Sequence, residues 1–168
     1  PRAEGITAIA SFVNNGMLVE ASGGESLGVK AERAVALIPD FANTVLDLNV
    51  HGSGSGASLI DFVRRSPIGN RQADALNKLS LGGAGSFDFH LSLPMKDAKG
   101  LLLAGTAALK DVDLEAPDWK LHLDKINGQA SFDAHGFHAG PLDATFRGQP
   151  SKLDIAIAAA TGRPDTEF

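Results

Sequence analysis

The chain has 168 residues, of which 43% are hydrophobic, so it can form one domain or two small ones with a substantial core. It contains no cysteine, which excludes disulfides and thiolate metal sites, and its net charge of -5 argues against a nucleic acid partner, because phosphate binding needs a basic surface. Nineteen glycines and few helix-favouring runs indicate a turn-rich β protein.

No membrane-spanning helix is predicted. The longest apolar run, Leu101 to Leu109, is interrupted by Gly105 and Thr106 and is far below the roughly 20 residues that a helix needs to cross a bilayer. The chain starts at Pro1 in the middle of a pattern and without an initiator methionine. We therefore expect a fragment or processed product of a longer parent protein.

Residues 1–52 are predicted to form a first β unit. Apolar and polar residues alternate with a period of two, which is typical of strands with one wet and one dry face. The segment Asn14-Asn15-Gly16 indicates a hairpin turn, because Asn and Gly tolerate positive φ. The predicted strands cover residues 6–12, 17–21, 27–31, 34–38 and 44–51.

Residues 53–83 are predicted to be a glycine linker followed by two short helices. In residues 57–65, Leu59, Phe62 and Val63 lie at i, i+3 and i+4, the spacing of one helix face, and Pro67 stops the helix. A second helix is predicted for residues 71–79, where three apolar residues form a stripe. The sheet pattern restarts after Gly82 and Gly83.

Residues 84–160 are predicted to form a second β unit, and residues 161–168 a tail. Strict alternation in residues 86–93 recurs in residues 101–109, 112–114, 120–124, 129–134, 142–147 and 152–157. We predict an antiparallel meander with one broad apolar face. Five residues are identical between 6–16 and 126–136, 120 positions apart, which fits either an internal repeat or chance, since Ala, Ser and Gly are common in this chain.

Few residues in this sequence have the chemistry of a catalytic or metal site. Gly52-x-Gly54-x-x-Ala57 formally satisfies a dinucleotide fingerprint, but the helix after it is short and no second parallel strand follows, which favours a linker. His135 and His138 are expected to flank a surface turn. We therefore predict no enzyme activity, no cofactor and no metal.

The carboxylates of Asp111 and Asp113 share one strand face but have no identifiable acid–base partner, so a solvated strand edge is expected. What remains is the apolar face itself. Large and small residues are mixed on this face, which suits either close packing of the protein's own core or a long, thin apolar guest. The residue pattern leaves both alternatives open, although most apolar faces are core.

Four stretches resemble a known family. They are Leu59 to Ile68 (LIDFVRRSPI), Gly85 to Pro94 (GSFDFHLSLP), and two spaced patterns in the second β unit. The spaced patterns consist of Gly105, Asp113, Pro117 and Trp119, and of Ile126, Gly128, Ala130, Phe132 and Gly136. In residue type and spacing the chain is similar to the AsmA-like proteins, in particular the YhdP group.

That resemblance implies an architecture and a function. Proteins of this family are long, are anchored in the inner membrane of Gram-negative bacteria and extend through the periplasm. The expected fold is mainly β: antiparallel meander sheets that form a curved, open groove of repeated sheet units, with a short two-helix insert. The expected function is to carry phospholipid between inner and outer membrane and so to support the outer-membrane barrier.

The resemblance also implies the partners of this segment. These would be phospholipid acyl chains, adjoining groove segments of the same parent chain, and membranes contacted through the parent's ends. The alternative is a non-catalytic β-sandwich that acts as a structural or interaction module. Under the transport hypothesis, the predicted lipid contacts are Phe87, Phe89, Leu91, Leu93, Leu121, Leu123, Phe132, Phe146, Ile155 and Ile157.

Overall fold

A computed structural model of the chain describes residues 3–65, 77–96, 100–133 and 136–158. Within these ranges the protein is a single antiparallel sheet with one α-helix. The strands are β1 (Thr7–Val13), β2 (Gly16–Ser22), β3 (Gly24–Ser26), β4 (Val29–Ile38), β5 (Val45–Ser55), β6 (Ser80–Leu81), β7 (Ala84–Pro94), β8 (Leu102–Ala116), β9 (Leu121–Asp133), β10 (Gly136–Phe146) and β11 (Gln149–Ala158), and the helix is α1 (Gly56–Arg64).

The strand order is β1-β2-β4-β5-β7-β8-β9-β10-β11, with β3 paired to β4 and β6 paired to β8. Every pairing is antiparallel. The sheet does not close, so β1 and β11 are its two edges. This confirms the predicted open, mainly β meander, and the pairing of β5 with β7 joins the two predicted β units in one sheet.

The register brings the apolar residues of successive strands to the same side. Val50 lies opposite Ala34 on one neighbouring strand and opposite Phe89 on the other. The same row continues through Gly105 to Phe132. Because side chains directly opposite each other share a face, the rows make one apolar face, and the alternating polar residues make a polar face.

In three strands, a β-bulge interrupts the alternation and joins segments that were predicted separately. Residues 27–31 and 34–38 were predicted as two strands, but β4 is continuous, with an irregularity between Ala31 and Arg33. The bulge puts Ala31 and Ala34 on the same face although they are three residues apart. Bulges in β8 near Asp111 (φ 47°) and in β9 near Lys125 (φ 52°) likewise join segments that were predicted separately.

Strand β5 also continues beyond its predicted end at residue 51 and includes Gly52 and Gly54. These glycines do not end the strand. Gly52 has a structural role within it, because atoms of the two neighbouring strands approach its Cα too closely for a side chain. A methyl group at Gly52 would collide with the Lys30 carbonyl oxygen of β4 and would lie 2.7 Å from Cζ of Phe87, the residue opposite on β7. The Phe87 ring therefore lies over the glycine, a known way of covering glycine positions in sheets.

Helix α1 begins one residue before its predicted start. Its N-cap is Ser55, whose hydroxyl accepts a hydrogen bond from the Ser58 N–H at 3.1 Å. The helix packs on the apolar face of the sheet. Its Leu59 side chain lies over Gly85 of β7, where an added methyl group would be 3.0 Å from Cδ1 of Leu59. Most of the second predicted helix, residues 71–76, lies outside the described residues, and Asn77 and Lys78 form a turn.

Candidate functional site

The apolar face has two regions that differ in what covers them. In the self-packed region the side chains form a buried cluster of Val112, Leu114, Ala116, Leu123, Ile126, Ala130, Ala139, Leu142 and Ala144. In the open region the side chains are only half-buried. The open region comprises Val19, Ala21, Ala34, Ala36, Leu46, Leu48, Val50, Phe87, Phe89, Leu91, Leu93 and Leu103.

The self-packed region forms where β8, β9 and β10 change register. Polar groups hold the bulged strands in place: the Asp111 N–H donates to Oδ1 of Asn127 at 3.0 Å, and Nδ2 of Asn127 donates to the Lys125 carbonyl at 2.9 Å. The Lys125 N–H donates to Oδ1 of Asp113 at 3.3 Å. The two aspartates, predicted as a solvated strand edge, are exposed and also stabilise this change of register.

A cavity of about 200 Å³ lies over the open region. Its walls include Ile6 and Val29 from one side of the sheet, and Phe87 and Phe89 from β7. The rings of these two phenylalanines are stacked, with centroids 6.2 Å apart and an angle of 17° between their planes. Phe62 of α1 is a further wall residue, so the helix forms part of the cavity.

Four predicted lipid contacts lie together in the open region. Phe87, Phe89, Leu91 and Leu93 occupy consecutive apolar-face positions of β7, and all are half-buried. Phe132 is half-buried on β9, and its ring covers Gly105 on the neighbouring strand. The structure thus brings these residues together on one face.

The other predicted contacts lie in or against the self-packed region. Leu123 is 5% exposed and is a member of the buried cluster, while Leu121, Phe146 and Ile155 pack against that cluster. The side chain of Ile157 lies outside the described residues, and its backbone pairs with Phe137. The self-packing leaves Leu123 little surface for a guest.

The list of predicted contacts did not include several residues that the structure adds to the open region. Leu46, Leu48 and Val50 of β5 lie directly opposite Leu93, Leu91 and Phe89. Their alternation was visible in the sequence, but their position beside β7 follows only from the strand order. Phe62 was identified as a residue of the helix face, without any signal that this face meets the sheet.

Histidines and carboxylates meet on the polar face, as the alternation predicts. Nδ1 of His51 lies 2.8 Å from Oδ1 of Asp88, and its Nε2 lies 3.6 Å from Oε2 of Glu32. The Ser53 hydroxyl donates to Glu32 at 2.6 Å and is not directed at the histidine, so these groups do not form a nucleophile–base pair. In the described ranges, no cluster of three or more acidic or histidine side chains has metal-binding geometry.

The glycine fingerprint does not lie in a nucleotide-binding unit. Both sheet neighbours of β5 are antiparallel to it, whereas the fingerprint requires a parallel βαβ unit. The N–H of Gly56 at the start of α1 donates to the Gly83 carbonyl at 3.0 Å. Of the two predicted surface histidines, His138 is exposed on β10, and His135 lies outside the described residues.

The fold and the site define a protein with a single open β-sheet whose apolar face is incompletely covered. A family model described as "YhdP protein" matches residues 1–167, so the chain belongs to the YhdP family. This confirms the family resemblance seen in the sequence motifs.

One similar relative is the "Intermembrane phospholipid transporter YhdP" of Escherichia coli (strain K12), which is 24% identical over 145 residues. The match covers 86% of this chain and 11% of that protein, so the chain spans about a tenth of the relative's length. No solved structure has significant similarity to the chain. Among the described residues, no helix has the length and apolar character that crossing a bilayer requires.

Proposed function

We propose that this chain is one segment of a periplasmic groove that carries phospholipid between the inner and outer membranes, and that the open region holds the acyl chains. The observation that carries the proposal is an apolar face that runs across β2, β4, β5, β7 and the start of β8 with its side chains only half-buried. Family membership and the name of the relative, an intermembrane phospholipid transporter, support a lipid as the guest.

The energetics favour this use of the face. Each methylene group of an acyl chain costs about 0.8 kcal/mol to expose to water, so a lipid crossing an aqueous gap needs a continuous apolar surface. The rows of the open region supply aliphatic and aromatic contacts. Since such contacts are non-directional, a tail can move from one row to the next without breaking hydrogen bonds.

The contacts that we propose are centred on β7 and β5. Phe87, Phe89, Leu91 and Leu93 provide one line of contacts, and Leu48 belongs to the neighbouring line. Phe132 extends the same face toward β9, while Leu121, Phe146, Ile155 and Ile157 would border it. Leu123 is left out, because its side chain belongs to the buried cluster.

We propose that β1 joins this segment to an adjoining segment of the same parent chain. Strand β1 is a sheet edge, so one row of its backbone groups is available for pairing. Ile9 and Phe12 are each 70% exposed and lie on opposite faces of the strand. A strand that is apolar on both faces and unpaired on one side suits the addition of another strand.

In this proposal the segment is non-catalytic, and its membrane contacts are made through other parts of the parent, which is anchored in the inner membrane. Transport through the assembled groove would support the outer-membrane barrier.

The division into a unit at residues 1–52, an insert at 53–83, a second unit at 84–160 and a tail at 161–168 belongs to this proposal as well. A second candidate function is a structural scaffold. The observation that favours it is the self-packed region, whose side chains fill their own core.

The test uses two neighbouring charge substitutions on opposite faces of β5. Leu48→Asp puts a carboxylate in the open region, and Asn49→Asp puts the same charge on the polar face. We expect Leu48→Asp to abolish uptake of a fluorescent phospholipid by delipidated protein, because a tail would have to desolvate the charge. Asn49→Asp should retain uptake.

Circular dichroism of both variants checks that the sheet is intact. If wild-type protein takes up no phospholipid, or if both substitutions reduce uptake equally, the groove proposal is wrong. Native mass spectrometry without co-purified lipid would favour the scaffold.

A further inference from the structure

The apolar face has two long rims, because the antiparallel strands all end at one of two sides. The first, here named the helix rim, contains the ends of β2 and β5 and the start of β7, next to α1. The second, here named the turn rim, contains the β1–β2 turn, residues 39–44 between β4 and β5, and the described residues 95, 96, 100 and 101 between β7 and β8. Strand β5 has eleven residues, so the rims lie up to about 33 Å apart along it.

The helix rim is covered by the chain itself. Ile60 of α1 is 6% exposed, and Leu59 packs over Gly54 and Gly85 on the apolar face. Beside the helix, the Gly82 N–H donates to the Asp113 carbonyl at 2.8 Å and ties the segment before β7 to β8. A lipid lying on the open region therefore meets protein at this rim.

Among the described residues no α-helix covers the turn rim, and large apolar side chains are exposed there. Met95 is 59% exposed and Leu102 is 65% exposed. Phe12, Val13, Leu37, Phe41 and Leu101 are further exposed large hydrophobic side chains at the same rim. Seven exposed large apolar residues therefore lie along the three turns. By register, Phe12 is on the apolar face, whereas Val13, Leu37 and Leu102 are on the polar face, so the rim is apolar on both sides.

Polar groups lie among these apolar side chains. Nζ of Lys96 donates to the Ala42 carbonyl at 2.6 Å, and Asp40 accepts hydrogen bonds from the Ala42 N–H and from Nδ2 of Asn15. All of these groups are exposed. A rim with apolar side chains beside charged and amide groups resembles a membrane interface. There, side chains place their apolar part in the hydrocarbon and their polar tip in water.

We infer that the headgroups of bound phospholipids lie along the turn rim and that their acyl chains extend across the open region toward α1. The inference rests on the proposed function and adds an orientation to it. Its physical basis is that a charged headgroup must stay hydrated, while the tail needs apolar cover. Of the two rims, the turn rim is open to water and the helix rim is occupied by Leu59 and Ile60.

The absence of cysteine from the chain allows single-site labelling. Met95→Cys places a fluorophore at the turn rim, and Ala57→Cys places it on the exposed side of α1 at the helix rim. The labelled full chain is incubated with phosphatidylcholine vesicles that carry a nitroxide either on the headgroup or near the acyl methyl end. It is then separated from the vesicles. Quenching is normalised to that of a water-soluble nitroxide.

The expected result is that the headgroup nitroxide quenches the label at position 95 several-fold more than the label at position 57, and that the acyl nitroxide reverses this order. Stronger headgroup quenching at position 57, or equal quenching at both positions, overturns the orientation while leaving lipid binding intact. Absence of quenching by either lipid, with both variants folded, overturns the proposed function itself and the orientation with it.

Discussion

A pair of leucine truncations separates the two regions of the apolar face. Leu142 is 1% exposed in the self-packed region, and Leu91 is half-buried in the open region. Leu142→Ala removes about three methylene equivalents from a filled core, at about 0.8 kcal/mol each, and leaves a cavity, for a total loss of about 2–5 kcal/mol of unfolding free energy. Leu91→Ala should cost only about 1 kcal/mol of unfolding free energy. Water already reaches this side chain, so less apolar surface is removed from water on folding.

Lipid uptake is expected to change in the opposite order. Leu91→Ala removes a proposed contact and should lower the uptake of fluorescent phospholipid, whereas Leu142→Ala leaves the open region unchanged. Unfolding in urea, followed by circular dichroism, gives the free energies, and uptake is measured at a temperature where both variants remain folded. Equal stability losses, or a larger loss of uptake for Leu142→Ala, would refute the division of the face into two regions.

Three further predictions concern the bulged strands, the close approaches and the turn rim. Asn127→Ala should lower the unfolding free energy in urea by about 1–2 kcal/mol, because it removes the hydrogen bonds that hold two bulged strands. The control is Gln129→Ala at an exposed position, and an equal cost for both variants would contradict this prediction. Gly105→Ala should cost about 1–3 kcal/mol, because the new methyl group would collide with the Phe132 ring and with the Asp88 carbonyl oxygen. Gly54→Ala, whose methyl group would lie at least 3.4 Å from its neighbours, should be close to neutral, and equal melting temperatures for the two variants would argue against the ring contact. The backbone N–H of Ala42 and the Asn15 amide hold the pKa of Asp40 below its ordinary value of 3.8, so its stabilisation of the turn is present above pH 3.8 and is lost as the pH falls through the lower folded pKa. A carboxyl NMR titration of Asp40 with a midpoint at or above 3.8 would disprove this.

The alternation of the sequence predicted the strands and their faces well, but it did not predict their continuity. Residues 27–31 and 34–38 were predicted as two strands, but an irregularity between Ala31 and Arg33 shifts the apolar phase within one continuous strand. Gly52 and Gly54 were interpreted as linker residues, since glycine usually weakens strands. Two neighbouring strands explain why a glycine is needed at position 52, because a methyl group there would collide with the Lys30 carbonyl oxygen of β4 and with the Phe87 ring of β7.

The candidate site could be predicted only in part. Phe87, Phe89, Leu91 and Leu93 have the same alternation as Leu121 and Leu123, so the residue pattern does not separate the two groups. In the structure the first group is half-buried in the open region, while Leu123 is in the buried cluster. The family resemblance supplied the hypothesis of a lipid guest, which the residue pattern had left open beside a plain core.

The sequence by itself determined which residues form strands, which side of each strand is apolar and where the helix begins, because each of these depends on neighbours within a few positions. It also carried the spaced motifs that place the chain in the YhdP family. Only the tertiary structure decided how much of the apolar face remains accessible. That depends on register, on bulges and on where α1 packs, all of which involve contacts between residues far apart in the chain.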